Sequence, residues 1–158
     1  MLIRGKESLE AIIYAAAGVD CEGSVTLMRN VSKRGYHTSG IFVAVANVDK
    51  RFVDFYFENF GGHVLVEQPK KLSKQIIYRW KIYGHNAAEF LKLIKPYLKI
   101  KGDRASLAIW FDENKTSLTY DQRDGIWLQM KALNKGLPPA ETKREDVGTN
   151  PRSDSPTL

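Results

Sequence analysis

Two acidic side chains, Asp20 and Glu22, follow a run of four small residues at positions 15–18. Small residues let two helix backbones approach closely, so a helix of this kind can pack against its copy in a second subunit. The two C-terminal helix ends then meet on a two-fold axis, with both Glu22 carboxylates and several helix-end carbonyls. A helix C-terminus carries partial negative charge and Mg²⁺ prefers hard oxygen ligands, so such a place suits Mg²⁺ and phosphodiester hydrolysis. The alternative interpretation is an ordinary helix with an acidic last turn.

The residue pattern predicts the elements that position these two acids. Helical spacing runs from Ser8, a typical N-cap residue, through Val19, and Gly23 is a helix-stop signal. Residues 24–47 alternate as two strands that are joined near residues 32–36. The acids therefore lie where a helix ends and a β-hairpin begins.

The pattern continues with a helix, a second hairpin and three more helices. Helices are expected over residues 49–60, 87–100, 104–113 and 123–134, and strands over 63–67 and 75–83. Pro96 is expected to bend or end the helix at 87–100, in which Phe90, Leu91, Ile94 and Leu98 have core spacing. The order αββαββααα predicts an α+β fold, with helices on one face of a four-stranded antiparallel sheet and no internal repeat.

Length and charge indicate one basic domain followed by a tail. A chain of 158 residues is long enough for one domain with a substantial core, which we place at residues 1–136. Residues 137–158 hold four of the six prolines and are predicted to be disordered. The tail has three basic and four acidic side chains, so residues 1–136 carry +7 where the whole chain carries +6. Such a domain suits a polyanionic partner, although many basic proteins bind none.

Composition also excludes several classes of protein. No apolar run approaches the roughly 20 residues that span a bilayer, and no secretory signal is recognisable. The single cysteine, Cys21, cannot form an internal disulfide, which agrees with a reducing compartment. We therefore expect an intracellular protein whose partner is neither a membrane nor a small-molecule substrate.

The sheet face that no helix covers is a candidate DNA-binding surface. A twisted antiparallel ribbon can lie in a DNA major groove, where each base pair presents a distinct pattern of donors and acceptors. The side chains assigned to this face, with two lysines in a turn placed for phosphates, are Thr26, Met28, Asn30, Ser32, Arg34, Tyr36, Thr38, Glu67, Lys70, Lys71, Gln75, Arg79 and Lys81. Taken singly, each is better explained as part of a solvated sheet face, and only the set indicates DNA.

The segment AAAGVDCEGSV resembles the motif of the LAGLIDADG homing endonucleases. Asp20 and Glu22 match the two acidic positions of the motif, and Gly23 matches its last glycine. Ala17 stands where the family usually has glycine, and Gly18 where a larger apolar residue is common. The resemblance extends over residues 8–134, through three further stretches that agree in order and spacing: Asn47-Val48-Asp49, Phe60-Gly61-Gly62 and residues 90–101.

The resemblance implies an αββαββα core in which a saddle-shaped four-stranded sheet binds double-stranded DNA and the helices lie on the opposite face. It implies a site-specific, intron-encoded endonuclease that cuts a long pseudo-palindromic target with Mg²⁺. Relatives with two copies of the motif are about twice this length and act as monomers, whereas this chain has one copy. The resemblance therefore implies a homodimer, in an organelle (chloroplast or mitochondrion) or in bacterial or phage-infected cytoplasm.

The resemblance also assigns roles to individual residues. It makes Glu22 the metal ligand, with the backbone carbonyl of Cys21 beside it. Lys101 corresponds to a lysine near the scissile phosphates, and Asn47 to a polar residue that helps to order the catalytic water. Arg51, one turn further on, is a weaker catalytic candidate.

Each of these residues also has a plain structural interpretation. Lys101 can be a solvated residue at a helix end, Asn47 a turn residue or helix cap, and Arg51 a surface charge. Asp20 is expected only to support the paired helix ends. Two other functions stay open: an RNA maturase that assists intron splicing, and a DNA-binding regulator of the same fold that no longer cleaves. The presence of both Glu22 and Lys101 argues against a fully degenerate site.

Overall fold

The structure, a computed structural model, describes residues 7–33, 35–69 and 75–136. These ranges contain the elements α1 (Leu9–Glu22), β1 (Gly23–Ser32), β2 (Gly35–Asn47), α2 (Lys50–Phe60), β3 (His63–Glu67), β4 (Ile77–Tyr83), α3 (Gly84–Ile94), a 3-10 turn (Lys95–Tyr97), α4 (Gly102–Asn114) and α5 (Tyr120–Asn134). The predicted α+β class and the order αββαββααα are confirmed. The predicted tail at 137–158 lies outside the described residues.

Local signals in the sequence set most of the element boundaries. The hydroxyl of Ser8 accepts the N–H of Ala11 at 3.2 Å and so caps the start of α1. Asp49 caps α2 in the same way, and α2 ends at Gly61, whose φ of 71° suits glycine. Pro96 ends α3 early, and the chain continues as the 3-10 turn.

A capping box that the sequence analysis did not use sets the start of α5. The helix begins at Tyr120, three residues before the predicted start, because Thr119 and Gln122 form a reciprocal capping box. The side chain of Thr119 accepts the N–H of Gln122 at 3.2 Å, and the side chain of Gln122 accepts the N–H of Thr119 at 2.9 Å.

The four strands form one antiparallel sheet in the order β1-β2-β4-β3. Side chains on one face are buried against the helices, and the face on the other side is called the outer face below. Five large aromatic residues fill the space between sheet and helices: Tyr56, Phe60, Trp80, Phe90 and Phe111. The four residues with predicted core spacing at 90–98 are all buried. None of the helices in the described ranges has the length and apolar character needed to cross a membrane.

A β-bulge interrupts the first hairpin. Met28 of β1 pairs with Gly40 of β2, but the next residue, Arg29, pairs with Thr38, so Ser39 is an extra residue on β2. An extra residue shifts the alternation of side chains by one position. In the part of β2 before the bulge, the residues that strict alternation assigns to the outer face, Tyr36 and Thr38, therefore face the helices.

The bulge corrects the assignment of two residues to the DNA-binding surface. Thr38 is fully buried, and its hydroxyl donates to the carboxylate of Asp124 on α5 at 3.0 Å. The same carboxylate accepts from the guanidinium of Arg29 at 2.8 Å, and that guanidinium lies 5.2 Å from the ring centre of Tyr36. Thr38 and Tyr36 thus lie on the helix side of the hairpin, and their placement on the outer face is wrong.

The four small residues of α1 serve mainly the interior of this chain. All but Ala17 are buried. The hydroxyl of Tyr56 on α2 donates to the backbone carbonyl of Ala15 at 2.9 Å. A Cβ atom on Gly18 would stand 2.1 Å from that hydroxyl and 2.9 Å from the ring of Phe52. The small residues at positions 15, 16 and 18 therefore let α2 approach α1, and Ala17 is the exposed member of the run.

Replacing Gly18 by alanine should lower the free energy of unfolding by about 1–3 kcal/mol, because the added methyl group overpacks the α1–α2 contact. Urea denaturation followed by circular dichroism measures the change. In a Tyr56→Phe background the same substitution should be less destabilising, because the nearest atom is gone. An equal loss in both backgrounds would contradict the assignment of Gly18 to the Tyr56 contact.

The stability of the fold should fall at acid pH partly through Asp124. Burial raises the pKa of this carboxyl, but the hydrogen bonds from Arg29 and Thr38 outweigh burial and hold the pKa below its ordinary value. A lowered folded-state pKa stabilises the fold above the unfolded-state value of about 3.9, and this contribution disappears as pH falls through the folded-state value. Between pH 5 and roughly 2, the unfolding free energy of Asp124→Asn should decline less steeply than that of the unmodified chain. Parallel declines would argue against this contribution.

Candidate active site and nucleic-acid interface

The carboxylate of Asp20 is buried and holds the segment that leads into α4. Its two oxygens accept the backbone N–H groups of Lys99 at 2.6 Å, Ile100 at 3.2 Å and Lys101 at 3.0 Å. A buried carboxylate is tolerated when hydrogen bonds replace its lost water, and three N–H donors do so here. The arrangement gives Asp20 a structural part at the end of α1, where it is not available as a ligand on the surface.

The side chain of Lys101 makes a second contact between the same two segments, in the opposite direction. Its ammonium group donates to the backbone carbonyls of Val19 at 2.8 Å and Asp20 at 2.5 Å, both in the last turn of α1. Burial, followed by the nearby charge of Arg104, lowers the pKa of Lys101 below the ordinary lysine value, against the opposing effect of the acidic groups at the helix end. Lys101 therefore places a partly desolvated positive charge beside the end of α1.

Glu22 is the last residue of α1, and its side chain is exposed. It lines an open concavity of about 350 Å³ together with Asn47 and Arg79, and the other lining residues are Ala46, Val48 and Ile77. The amide oxygen of Asn47 accepts the N–H of Asp49 at 2.9 Å, which fixes the orientation of the amide group. The structure thus brings Glu22 and Asn47 together, although 25 positions separate them in the sequence.

Arg51 does not line the concavity of Glu22. It lies in a neighbouring concavity of about 450 Å³, which Asn47 also lines. Its exposed guanidinium forms an ion pair with Asp49, at 3.0 Å from Nε to Oδ1 and 2.5 Å from Nη2 to Oδ2. Asn47 therefore lies between the two concavities, and Arg51 shares one with Asn47 but none with Glu22.

Arg79 is the residue of this concavity whose place the sequence did not indicate. It was expected on the outer face as one DNA contact among many. The register of β4 places it opposite Ala46, next to Asn47, and so beside the end of α1. Hydrophobic alternation gives its face, but only the pairing of β2 with β4 gives its position along the sheet.

The end of α1 offers part of a ligand set for a divalent cation. Oxygen donors such as the Glu22 carboxylate and the backbone carbonyl of Cys21 match the preference of Mg²⁺ and Ca²⁺. Within residues 7–33, 35–69 and 75–136, no three side chains of histidine, cysteine, aspartate or glutamate come together as a metal cluster. The Glu22 carboxylate and the Cys21 carbonyl alone do not complete the coordination shell of either ion.

The outer face keeps most of the predicted DNA contacts. β1 contributes Thr26, Met28, Asn30 and Ser32, which alternate with the buried Val25 and Leu27. β3 contributes Glu67, and β4 contributes Arg79 and Lys81. Gln75 is exposed just before β4, whereas Arg34, Lys70 and Lys71 lie outside the described residues. The sequence analysis missed an aromatic pair on this face, Phe42 and Tyr83, whose ring centres are 5.9 Å apart.

No family model matches the sequence, and no curated protein matches it significantly. Solved structures do match. The archaeal intron-encoded homing endonuclease I-Vdi141I, complexed with DNA, has a TM-score of 0.61 at 11% identity, covering 87% of this chain and 90% of that one. The homing endonuclease I-CvuI, in complex with its target in the presence of 2 mM Ca, has a TM-score of 0.57 at 14% identity, covering 79% and 78%.

A third match is the LAGLIDADG homing endonuclease I-LtrWI bound to target DNA, with a TM-score of 0.58 at 17% identity. It covers 96% of this chain, which spans only 53% of I-LtrWI. The element order, the antiparallel sheet and these three likenesses agree with one another. The chain has the fold of the LAGLIDADG homing endonucleases.

Proposed function

We propose that this chain is a site-specific endonuclease for double-stranded DNA that acts as a homodimer with Mg²⁺. The observation that carries the proposal is the position of Glu22, an exposed carboxylate at the end of α1. It faces a concavity that it shares with Asn47 and Arg79, at the margin of the outer face of the sheet. The site therefore adjoins the surface that would hold DNA.

The outer face supports binding in a major groove. Antiparallel strands can enter that groove with alternate side chains directed at the base edges. Asn30 and Lys81 are suited to hydrogen bonds with bases or phosphates, and Met28 and Thr26 to contact with thymine methyl groups. I-Vdi141I, I-CvuI and I-LtrWI, which have this fold, were all solved with DNA.

An apolar stripe on α1 supports the homodimer. Ile13 is 45% exposed and Tyr14 50% exposed, and Ala17 follows one turn after Ile13 on the same exposed side. Packing this stripe against its copy would bury it and bring the two Glu22 side chains to one axis. This chain spans nearly all of I-Vdi141I but about half of I-LtrWI. Such lengths fit a chain that carries one copy of the fold and pairs with a second copy.

The chain's own groups have separate tasks in this mechanism. A bound Mg²⁺ held by both Glu22 carboxylates would neutralise charge on the attacking and leaving oxygens of a phosphodiester. Lys101, fixed on the end of α1, would stabilise negative charge as it develops nearby. The amide oxygen of Asn47 is engaged by Asp49, so its NH₂ group is the donor that would position a water molecule. Arg51 would bind a more distant phosphate.

Glu22→Gln should abolish cleavage and preserve DNA binding, because it removes the ligand charge but leaves the outer face intact. A randomised double-stranded DNA library, first selected for binding in Ca²⁺ and then incubated with Mg²⁺, provides the substrate. The cleavage rate should fall on the order of 10²-fold or more. Glu58→Gln, at an exposed glutamate of α2, is the matched control and should cleave normally.

Equal cleavage by the unmodified chain and Glu22→Gln would reject Glu22 as the metal ligand. Specific binding without cleavage by the unmodified chain would instead favour a regulator of the same fold. Preferential binding of structured RNA over all selected DNA would favour a maturase.

Ile13→Glu should convert the dimer to a monomer, because two glutamates would face each other across an apolar contact at α1. Analytical ultracentrifugation at micromolar concentration measures the change, and cleavage should be lost together with the dimer. Leu128→Glu, at a leucine of α5 that is 60% exposed, is the control and should stay dimeric. A Leu128→Glu monomer, or an Ile13→Glu dimer, would place the interface elsewhere.

A further inference from the structure

An ion pair on the outer face adjoins the concavity of Glu22. Arg79 of β4 and Glu67 of β3 form two parallel bonds, at 2.6 Å from Nε to Oε1 and 3.2 Å from Nη2 to Oε2. Each side chain keeps about a third of its surface exposed. The paired carboxylate raises the pKa of Arg79 above its ordinary value, so the guanidinium stays charged at any working pH.

The strand register determines what else this guanidinium can reach. Arg79 pairs with Leu65 on one side and with Ala46 on the other. The side chain of Ala46 is a single methyl group, which leaves space above β2 in the direction of the end of α1. Arg79 lines the concavity there, and among the described residues that line it Glu22 is the acidic one. Apart from Glu67, Glu22 is thus the carboxylate placed to attract Arg79.

We propose that Glu67 is a positioning residue that holds the Arg79 guanidinium away from Glu22, so that the Glu22 carboxylate remains available to a divalent cation. The inference rests on the proposed role of Glu22 as the metal ligand. When DNA is bound, the Arg79 guanidinium stays directed at the outer face, where a DNA phosphate is its partner. Glu67 therefore regulates the metal affinity of the site without contacting the metal.

Two electrostatic effects act in the same direction. A guanidinium paired with Glu22 would compete directly with a cation for the carboxylate oxygens. Even without direct contact, an uncompensated positive charge in the concavity would repel a cation, and Lys101 already contributes one charge at the end of α1. Glu67 cancels the charge of Arg79 and removes both effects.

Mn²⁺ binding to the full chain without DNA tests this role directly. Electron paramagnetic resonance counts free Mn²⁺ and yields a dissociation constant. Glu22→Gln should lose the site. Glu67→Gln should raise the dissociation constant about two- to fivefold, the effect expected of one partly exposed charge pair. Arg79→Gln should not weaken binding, and the Glu67→Gln, Arg79→Gln double variant should bind Mn²⁺ as the unmodified chain does.

The double variant separates the proposed role from general damage to the fold. A loss of structure in Glu67→Gln would not be repaired by a second substitution, whereas removal of the uncompensated guanidinium would restore the affinity. Asp54→Asn is the matched control, because it also removes one carboxylate from an ion pair, with Lys50 on α2, and lines a different concavity. It should leave Mn²⁺ affinity unchanged.

The outcomes distinguish this inference from the proposed function. Equal Mn²⁺ binding by the unmodified chain and Glu22→Gln would overturn the metal role of Glu22 and this inference with it. Binding that depends on Glu22 but is the same in Glu67→Gln would overturn the inference alone. With selected DNA, Glu67→Gln should need about two- to fivefold more Mg²⁺ for half-maximal cleavage. An unchanged Mg²⁺ requirement would contradict the positioning role.

Discussion

A reciprocal contact between the end of α1 and the segment before α4 determines the geometry of the site. The last turn of a helix leaves carbonyl groups without partners, and a buried carboxylate needs donors. Here the carboxylate of Asp20 takes three N–H groups of residues 99–101, and the ammonium of Lys101 takes the carbonyls of Val19 and Asp20. Each side meets the need of the other. The chain then turns directly into β1, and at Gly23 a Cβ atom would stand 2.7 Å from the backbone of Val19. The Asp20–Lys101 contacts and the close turn at Gly23 together fix the backbone from which the Glu22 side chain extends.

The polar groups around Glu22 come from separate parts of the chain, and their charges balance. Lys101 supplies a positive charge at the end of α1, while Arg79 supplies a second charge in the concavity of Glu22 and is paired there with Glu67. A site with one carboxylate and two uncompensated cations would repel Mg²⁺, whereas a site with the second cation paired does not. The ion pair on β3 and β4 and the contact of Lys101 with the end of α1 are therefore parts of one electrostatic arrangement, although they come from different elements of the chain.

The sequence was sufficient where a local signal sets the structure. Asp49, Gly61 and Pro96 marked real boundaries, and Glu22 and Asn47, which were both chosen from the sequence, line one concavity. It was insufficient where the answer depends on strand pairing. The alternation of apolar and polar residues along β2 does not reveal that Ser39 is an extra residue, so Thr38 was assigned to the wrong face. The position of Arg79 beside Glu22 depends on the register of β4 against β2, which no local pattern encodes. The contact of Ala15 and Gly18 with Tyr56 was not predicted for a related reason, because the two helices that it joins are far apart in the sequence.

The bulge removes two residues from the outer face but stiffens the hairpin that carries the others. β1 and β2 have ten and thirteen residues, and a two-stranded hairpin on its own is marginally stable. The regular alternation of β1 turns Arg29, like Val25 and Leu27, toward the helices, where its guanidinium bonds to Asp124 at 2.8 Å and lies 4.4 Å from the ring centre of Trp127. Thr38 binds the same carboxylate from the other strand. Both strands are thereby attached to one helix beyond the main core, so Asn30 and its neighbours on the outer face are held in a fixed arrangement. A surface that reads bases through several spaced contacts depends on such rigidity, because each mobile side chain or strand lowers affinity by the entropy lost on binding.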